Sequence, residues 1–157
     1  MKKLLLTAAL VAVFGFAANA QTEQGGILVG ASSNLGFVSQ DNGGGSFSTF
    51  QLNAKGGYFL ADGLAAGLNI QYLSVDGTSA SSFGIFGRYF ISDAIFAEAG
   101  YNALSDSRGG IIPISAGYAA FLTDNIAVEP TLTYELGTGN SDEYSAFGLN
   151  VGFTLYF

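Results

Sequence analysis

The chain has 157 residues with 5 basic and 12 acidic side chains, 23 Gly, 14 Phe and 8 Tyr, and no Cys, His or Trp. That length allows one domain, and the missing residue types exclude disulfides, thiolate metal sites, a lipoprotein anchor and a Ser-His-Asp triad. With 49% hydrophobic and only 11% charged residues, the chain is unusually apolar for a water-soluble domain of its size.

At the N-terminus, Lys2 and Lys3 precede an apolar run over residues 4–17, broken only by Thr7. Ala18-Asn19-Ala20 then forms a small-residue cleavage motif before Gln21. This is the three-part layout of a secretory signal peptide, and the run is too short for the ~20 residues of a membrane span. Residues 1–20 are therefore expected to be cleaved, leaving a single domain over 21–157. Loss of the two lysines leaves 3 basic against 12 acidic side chains, a net charge of −9. That balance disfavours nucleic acid as a partner. Export without cysteine fits a bacterial envelope protein.

Downstream, alternation replaces continuous hydrophobicity. Strands are expected at roughly 27–37, then at 50–60, 64–73, 83–91, 95–103, 112–122, 126–136 and 146–157. In the third, Leu64, Ala66, Leu68, Ile70 and Tyr72 oppose Ala65, Gly67, Asn69 and Gln71. In the seventh, Val128, Leu132 and Tyr134 oppose Glu129, Thr131, Thr133 and Glu135. In the last, Phe147, Leu149, Val151, Phe153, Leu155 and Phe157 share a face, and Ala146, Gly148, Asn150, Gly152, Thr154 and Tyr156 share the other. Segments of about ten residues suit tilted transmembrane strands. Pro130 is awkward within this pattern, because it cannot donate to a ladder and a closed barrel has no free edge; a bulge is expected there.

Connections alternate in length. Tight turns are expected at residues 61–63, 92–94 and 123–125, and Gly/Ser-rich loops at 40–46, 76–81, 105–110 and 137–143. Gly43-Gly44-Gly45 lacks the Lys-Ser/Thr and the helix of a phosphate loop, and acidic loop residues such as Asp142 and Glu143 are read as solvated charge. Phe59, Phe90 and Phe121 recur at a spacing of 31, as do Asp62, Asp93 and Asp124. One hairpin plus its loop, repeated around a closed sheet, accounts for that period. Aromatics gather at the turn end, and Tyr58, Tyr89, Tyr118, Tyr156 and Phe157, with Phe59, Phe90 and Phe121, are expected at the membrane–water boundary. The expected fold class is all-β, an eight-stranded antiparallel transmembrane β-barrel with short periplasmic turns and longer extracellular loops.

The leader, the strand count, the Tyr-Phe-x-x-Asp turns and the terminal Phe157 resemble the small bacterial outer-membrane β-barrel proteins of the OmpX and OmpA-barrel type. The stretch from Gly57-Tyr58-Phe59-Leu60-Ala61-Asp62 to Gly67 is similar to that family's strand-turn-strand signature. The resemblance implies residence in the outer membrane, with lipid and lipopolysaccharide as surroundings. It also implies that Phe153, Leu155 and Phe157 form the signal read by the barrel-assembly machinery. The peptidoglycan-binding domain of longer relatives is not expected to accompany this barrel.

Inside an eight-stranded barrel, side chains fill the lumen. Lys55, Arg88, Glu98, Glu129 and Glu135 fall on inward faces. Arg88 and Glu98 flank Asp93 symmetrically, and Glu98 and Glu129 occupy equivalent repeat positions. Lys55, Arg88, Glu98 and Glu129 are therefore expected to form one internally paired ionic cluster, because unpaired buried charge is costly. Three readings of it are open: a structural plug, a gate that admits ions, and a catalytic carboxylate pair. An enzyme is not expected, since barrel hydrolases and lipid acyltransferases resembling PagP use a histidine. No cofactor or metal is expected. The sequence supports a monomeric integral outer-membrane protein with a structural, protective or surface-interaction role and a plugged lumen. The alternative is a narrow porin-like channel for ions or small solutes.

Overall fold

The computed structural model describes residues 22–34, 49–75, 78–104, 109–139 and 145–157. The signal peptide at 1–20 and the loops expected at 40–46 and around Asp142 lie outside the described residues. The elements are β1 (Ile27–Asn34), β2 (Thr49–Ala61), β3 (Leu64–Val75), β4 (Thr78–Phe90), β5 (Ile95–Leu104), β6 (Gly110–Tyr118), β7 (Ala120–Thr123), β8 (Ile126–Thr138) and β9 (Ser145–Tyr156). All pairings are antiparallel, and apart from β6–β8 and β1–β9 they join chain neighbours. β1 pairs with β9, as in Ala31↔Phe153, and closes the sheet into a barrel.

Nine elements make eight barrel strands, because β6 and β7 are one strand broken at Ala119. Both pair with β8 in the same register, Gly117↔Thr131 before the break and Ala120↔Val128 after it. Pro130 explains the break. Tyr156 N–H donates to Asn125 O, so the odd-numbered residues of β8 direct their backbone groups to β9 and the even-numbered ones to β6. The missing N–H of Pro130 therefore falls opposite Tyr118, where the ladder stops. The bulge expected at Pro130 is thus an interruption without a change of register. Pro113 does the same on a smaller scale, and the β5–β6 ladder skips from Ala99↔Ile114 to Asn102↔Ile111.

Each antiparallel register fixes an offset. Carrying these offsets once around the eight strands returns to β1 displaced by ten residues, a shear of ten. For eight strands that shear corresponds to a tilt of roughly 40°. The loop expected at 76–81 is shorter than its composition implied. β3 runs to Val75 and β4 starts at Thr78, with Val75↔Thr78 paired, because small Ser and Thr residues can extend a ladder as readily as leave it. At the other end, Phe59-Leu60-Ala61 and Phe121-Leu122-Thr123 share a shifted register before their turns, so the first and third hairpins of the 31-residue repeat carry the same bulge, while the middle one keeps its register to Phe90↔Phe96. Gly63 makes the first turn with φ +72°. Residues 22–26 pass beneath it: Gly63 N–H donates to Thr22 O (2.7 Å), and Gln24 N–H to Asp62 Oδ1 (2.9 Å).

Side chains sort by strand parity. Outward positions such as Ile70, Ile85, Phe147 and Phe153 are all more than half exposed. Among the described strand residues no outward side chain is charged. An apolar surface of this extent all round a closed barrel is incompatible with water and suited to a bilayer. No helix among the described residues is long and apolar enough to cross a membrane.

Candidate functional site in the barrel lumen

The lumen is filled in three layers. At the turn end lie Leu28, Phe59, Phe90, Phe96, Phe121 and Tyr156, each at most 7% exposed. Ring centroids in this layer stand 5.2 to 6.3 Å apart, within the range of favourable tilted contacts. The repeated phenylalanines and Tyr156 are therefore core residues and not part of a membrane-boundary girdle. Alternation is the reason. In each Tyr-Phe pair the tyrosine faces out and the phenylalanine in, and Tyr156 shares its parity with Thr154 and Gly152. Tyr58, Tyr89 and Phe157 do face outward and are about half to two-thirds exposed, and Tyr118 is half-buried on the same outer side. A second outward tyrosine set, Tyr72, Tyr101 and Tyr134, lies nearer the loops. The turn-end sequence repeat gave no hint of it, although parity alone could have found it.

Above the aromatic layer sits the ionic cluster. β4 and β5 place Arg88 directly opposite Glu98. The Arg88 Nε–H donates to Glu98 Oε2 (2.7 Å), and Lys55 Nζ donates to both Glu98 oxygens (3.1 and 2.9 Å). Arg88 Nη1 donates to Glu129 Oε1 and to Tyr156 Oη, each at 2.9 Å. The Tyr156 hydroxyl in turn donates to Glu129 Oε1 at 2.5 Å. Arg88 Nη2 is also 2.7 Å from Glu98 Oε2, but it is misaligned for a hydrogen bond and contributes charge proximity only. Arg88 is completely buried, with its guanidinium carbon 3.8 Å from the Phe96 ring centroid. Phe96 in turn covers Gly117, its cross-strand partner, where a β-carbon would collide with the ring. Glycine, ring and guanidinium thus stack in order across the floor of the lumen.

The structure brings Lys55, Arg88, Glu98 and Glu129 together, two positive and two negative charges. Tyr156 completes the network. The sequence reading missed this, although the alternation of the last strand already put Tyr156 on the inward face. Replacing Tyr156 by Phe leaves the buried Glu129 short of a charge-assisted hydrogen bond. It is expected to lower stability by about 2 kcal/mol in urea titrations of the refolded barrel. A loss below about 0.5 kcal/mol would mean that Glu129 finds another donor.

The third layer, toward the loops, is polar. A cavity of about 70 Å³ is lined by residues including Asn53, Asn69, Gln71, Asn102, Thr133 and Asn150. Asn69 Nδ2–H donates to Asn102 Oδ1 (2.8 Å), Ser82 Oγ–H to Gln71 Oε1 (3.3 Å), and Asn150 Nδ2–H to Thr133 Oγ1 (3.1 Å). Phe153, Leu155 and Phe157 lie outside on the lipid face of β9, between 39% and 65% exposed.

No protein-family model matches the sequence, nor does any curated protein. Solved structures do. The N-terminal β-barrel domain of Pseudomonas aeruginosa OprF matches with a TM-score of 0.61 at 18% identity, covering 85% of this chain and 98% of that one. A de novo designed transmembrane β-barrel matches with a TM-score of 0.52 at 15% identity, over 87% and 99% of the two chains. The outer-membrane protein Ail of Yersinia pestis matches with a TM-score of 0.51 at 14% identity, over 85% and 100%. With barrel closure, eight strands and a charge-free outer face already established, these likenesses agree on one architecture: the chain has the fold of a small outer-membrane β-barrel.

Proposed function

We propose that the chain is an integral outer-membrane protein with a structural, protective or surface-interaction role, its lumen closed by its own side chains. The outer membrane is the compartment in which an exported, cysteine-free barrel with an apolar exterior is stable. One observation carries the closure: Arg88, fully buried, is stacked on Phe96 and bonded to Glu98, Glu129 and Tyr156. A desolvated guanidinium held by two carboxylates cannot move aside without leaving buried charges unpaired. Beneath it the aromatic layer offers a solute no polar path. Lipid and lipopolysaccharide surround such a barrel, the assembly machinery reads its last strand, and with no free sheet edge it stands as a monomer.

The test is single-channel conductance of refolded residues 21–157 in a planar lipid bilayer. Silent membranes are expected from protein shown to be folded and inserted. Reproducible discrete steps, altered by Glu98→Gln or Lys55→Met, would overturn closure and establish the narrow-channel alternative.

A further inference from the structure

The seam between β6–β7 and β8 is interrupted. Its ladder stops at Gly117↔Thr131 and resumes at Ala120↔Val128, so Tyr118 and Ala119 have no ladder partner on β8. Pro130 has no N–H to give, and no side-chain adjustment can restore the missing pair. Each side of the gap stays tied to its other neighbour. Ile95↔Tyr118 and the Ala119 N–H, donated to Ala94 O (2.7 Å), hold one side to β5. Glu129↔Gly152 and Pro130↔Val151 hold the other to β9. A wall parts most readily where ladder pairs are already missing, and here that line is set by one residue.

The ionic cluster lies against this gap. In the common register of β6 and β7, Glu129 falls opposite the unpaired Ala119. Arg88 stands on both sides of the break. On one side it stacks on Phe96, which covers Gly117, the last paired residue before the gap, and it bonds Glu98 of β5. On the other side its Nη1 donates to Glu129 of β8 and Tyr156 of β9, each at 2.9 Å. Farther toward the loops, the Ser115 and Thr133 hydroxyls (3.0 Å) and the bond from Thr138 Oγ1–H to Gly110 O (3.0 Å) also tie β6 to β8. Beside the gap itself the tie is ionic. Parting the seam would draw Glu129 and Tyr156 away from Arg88 and leave buried charges unpaired, which costs more than a ladder pair.

We propose that the Arg88–Glu129–Tyr156 limb is a clasp that holds the interrupted seam shut, and that the wall opens locally there. Pro130 sets the place of opening and the limb sets its threshold. This goes beyond filling the lumen, because a plug alone gives residues 110–123 no reason to follow Arg88. It is also independent of conduction, so conductance and seam opening fail separately.

Hydrogen exchange followed by mass spectrometry tests it, on refolded residues 21–157 in detergent micelles, where closing outpaces exchange. In the wild type, peptides covering 110–123 should exchange about tenfold faster than peptides covering 49–75. Equal rates overturn the seam. In Arg88→Met both sets should speed up by about a hundredfold or more, so that the tenfold gap between them persists, because the clasp is broken in the local opening as fully as in global unfolding. An unchanged rate at 110–123, or a gap that closes, means that the seam parts without disturbing Arg88 and overturns the clasp. Tyr156→Phe serves if Arg88→Met does not fold. Pro130→Val returns an N–H to the ladder and should slow exchange at 110–123 by about tenfold; no slowing in the folded variant overturns the role of Pro130.

Discussion

Replacing Arg88 by Met should lower the stability of the folded barrel by about 3–5 kcal/mol, the largest single-residue effect expected in this chain. Methionine keeps much of the apolar stem and gives up the guanidinium stacked on Phe96, the smaller part of the cost. What is lost is charge balance. Glu129, 3% exposed, would keep only the Tyr156 hydroxyl, and Glu98 only Lys55. A carboxylate in that setting must stay ionised without a partner or take up a proton, and each costs free energy. Urea titration of the refolded protein in detergent micelles, followed by far-ultraviolet circular dichroism, measures the loss directly. The double variant Arg88→Met with Glu129→Gln should recover part of it, because the second change removes the stranded charge. A single-variant loss below about 1 kcal/mol would mean that water reaches the cluster from the polar cavity, and the closed-lumen reading would weaken with it.

The second large effect is steric. Gly67 faces Gly57 across β2 and β3, with the Phe86 ring lying over both. A β-carbon at Gly67 would collide with the Gly56 carbonyl oxygen and stand 2.6 Å from Gly57 Cα and 2.8 Å from the Phe86 ring. Two of those neighbours are backbone in a closed ladder and cannot retreat without opening the β2–β3 pairing. Gly67→Ala is therefore expected to cost about 3 kcal/mol, the upper end for overpacking. Gly87 supplies the contrast on the outer face. A β-carbon there meets no atom within 4 Å, so Gly87→Ala should be neutral or stabilise by about 0.4–1 kcal/mol. Urea midpoints of the two variants, measured side by side, check both predictions; equal effects would mean that composition and not clearance sets the cost.

If the lumen is closed as proposed, the exposed faces are where the barrel meets its surroundings. On the outer surface, Tyr58, Tyr89 and Phe157 at the turn end and Tyr72, Tyr101 and Tyr134 toward the loops bracket a band of Ile, Leu, Val and Ala. Aromatic residues at both margins hold a barrel at a fixed depth in a bilayer.

Much of this was legible without coordinates because a strand has a period of two. Once Phe147, Leu149 and Phe153 are read as one face, Tyr156 and Thr154 are fixed on the other. The pairing of Arg88 with Glu98 followed from their symmetric distance to Asp93, since a tight hairpin converts sequence offset into cross-strand register. The 31-residue spacing of Phe59, Phe90 and Phe121 likewise revealed the repeated hairpin. Where the reading went astray, two sequence signals competed. Tyr156 sits beside Phe157 at a turn-end margin rich in aromatics, and proximity was allowed to outweigh parity. Pro130 was expected to distort the strand that carries it, but the discontinuity appears in the neighbouring one, between β6 and β7.

The sequence by itself determined the strand class, the inward and outward faces, the number of strands and the residues of the ionic cluster. Each of these depends on local periodicity or on a short hairpin. Tertiary structure decided the shear of ten, the stack of Arg88 on Phe96 over Gly117, the hydrogen bond between Asn69 and Asn102, and the entry of Tyr156 into the charge network. Those features join residues from β3, β4, β5, β6, β8 and β9, and only closure of β1 against β9 fixes how far each strand slides past the next.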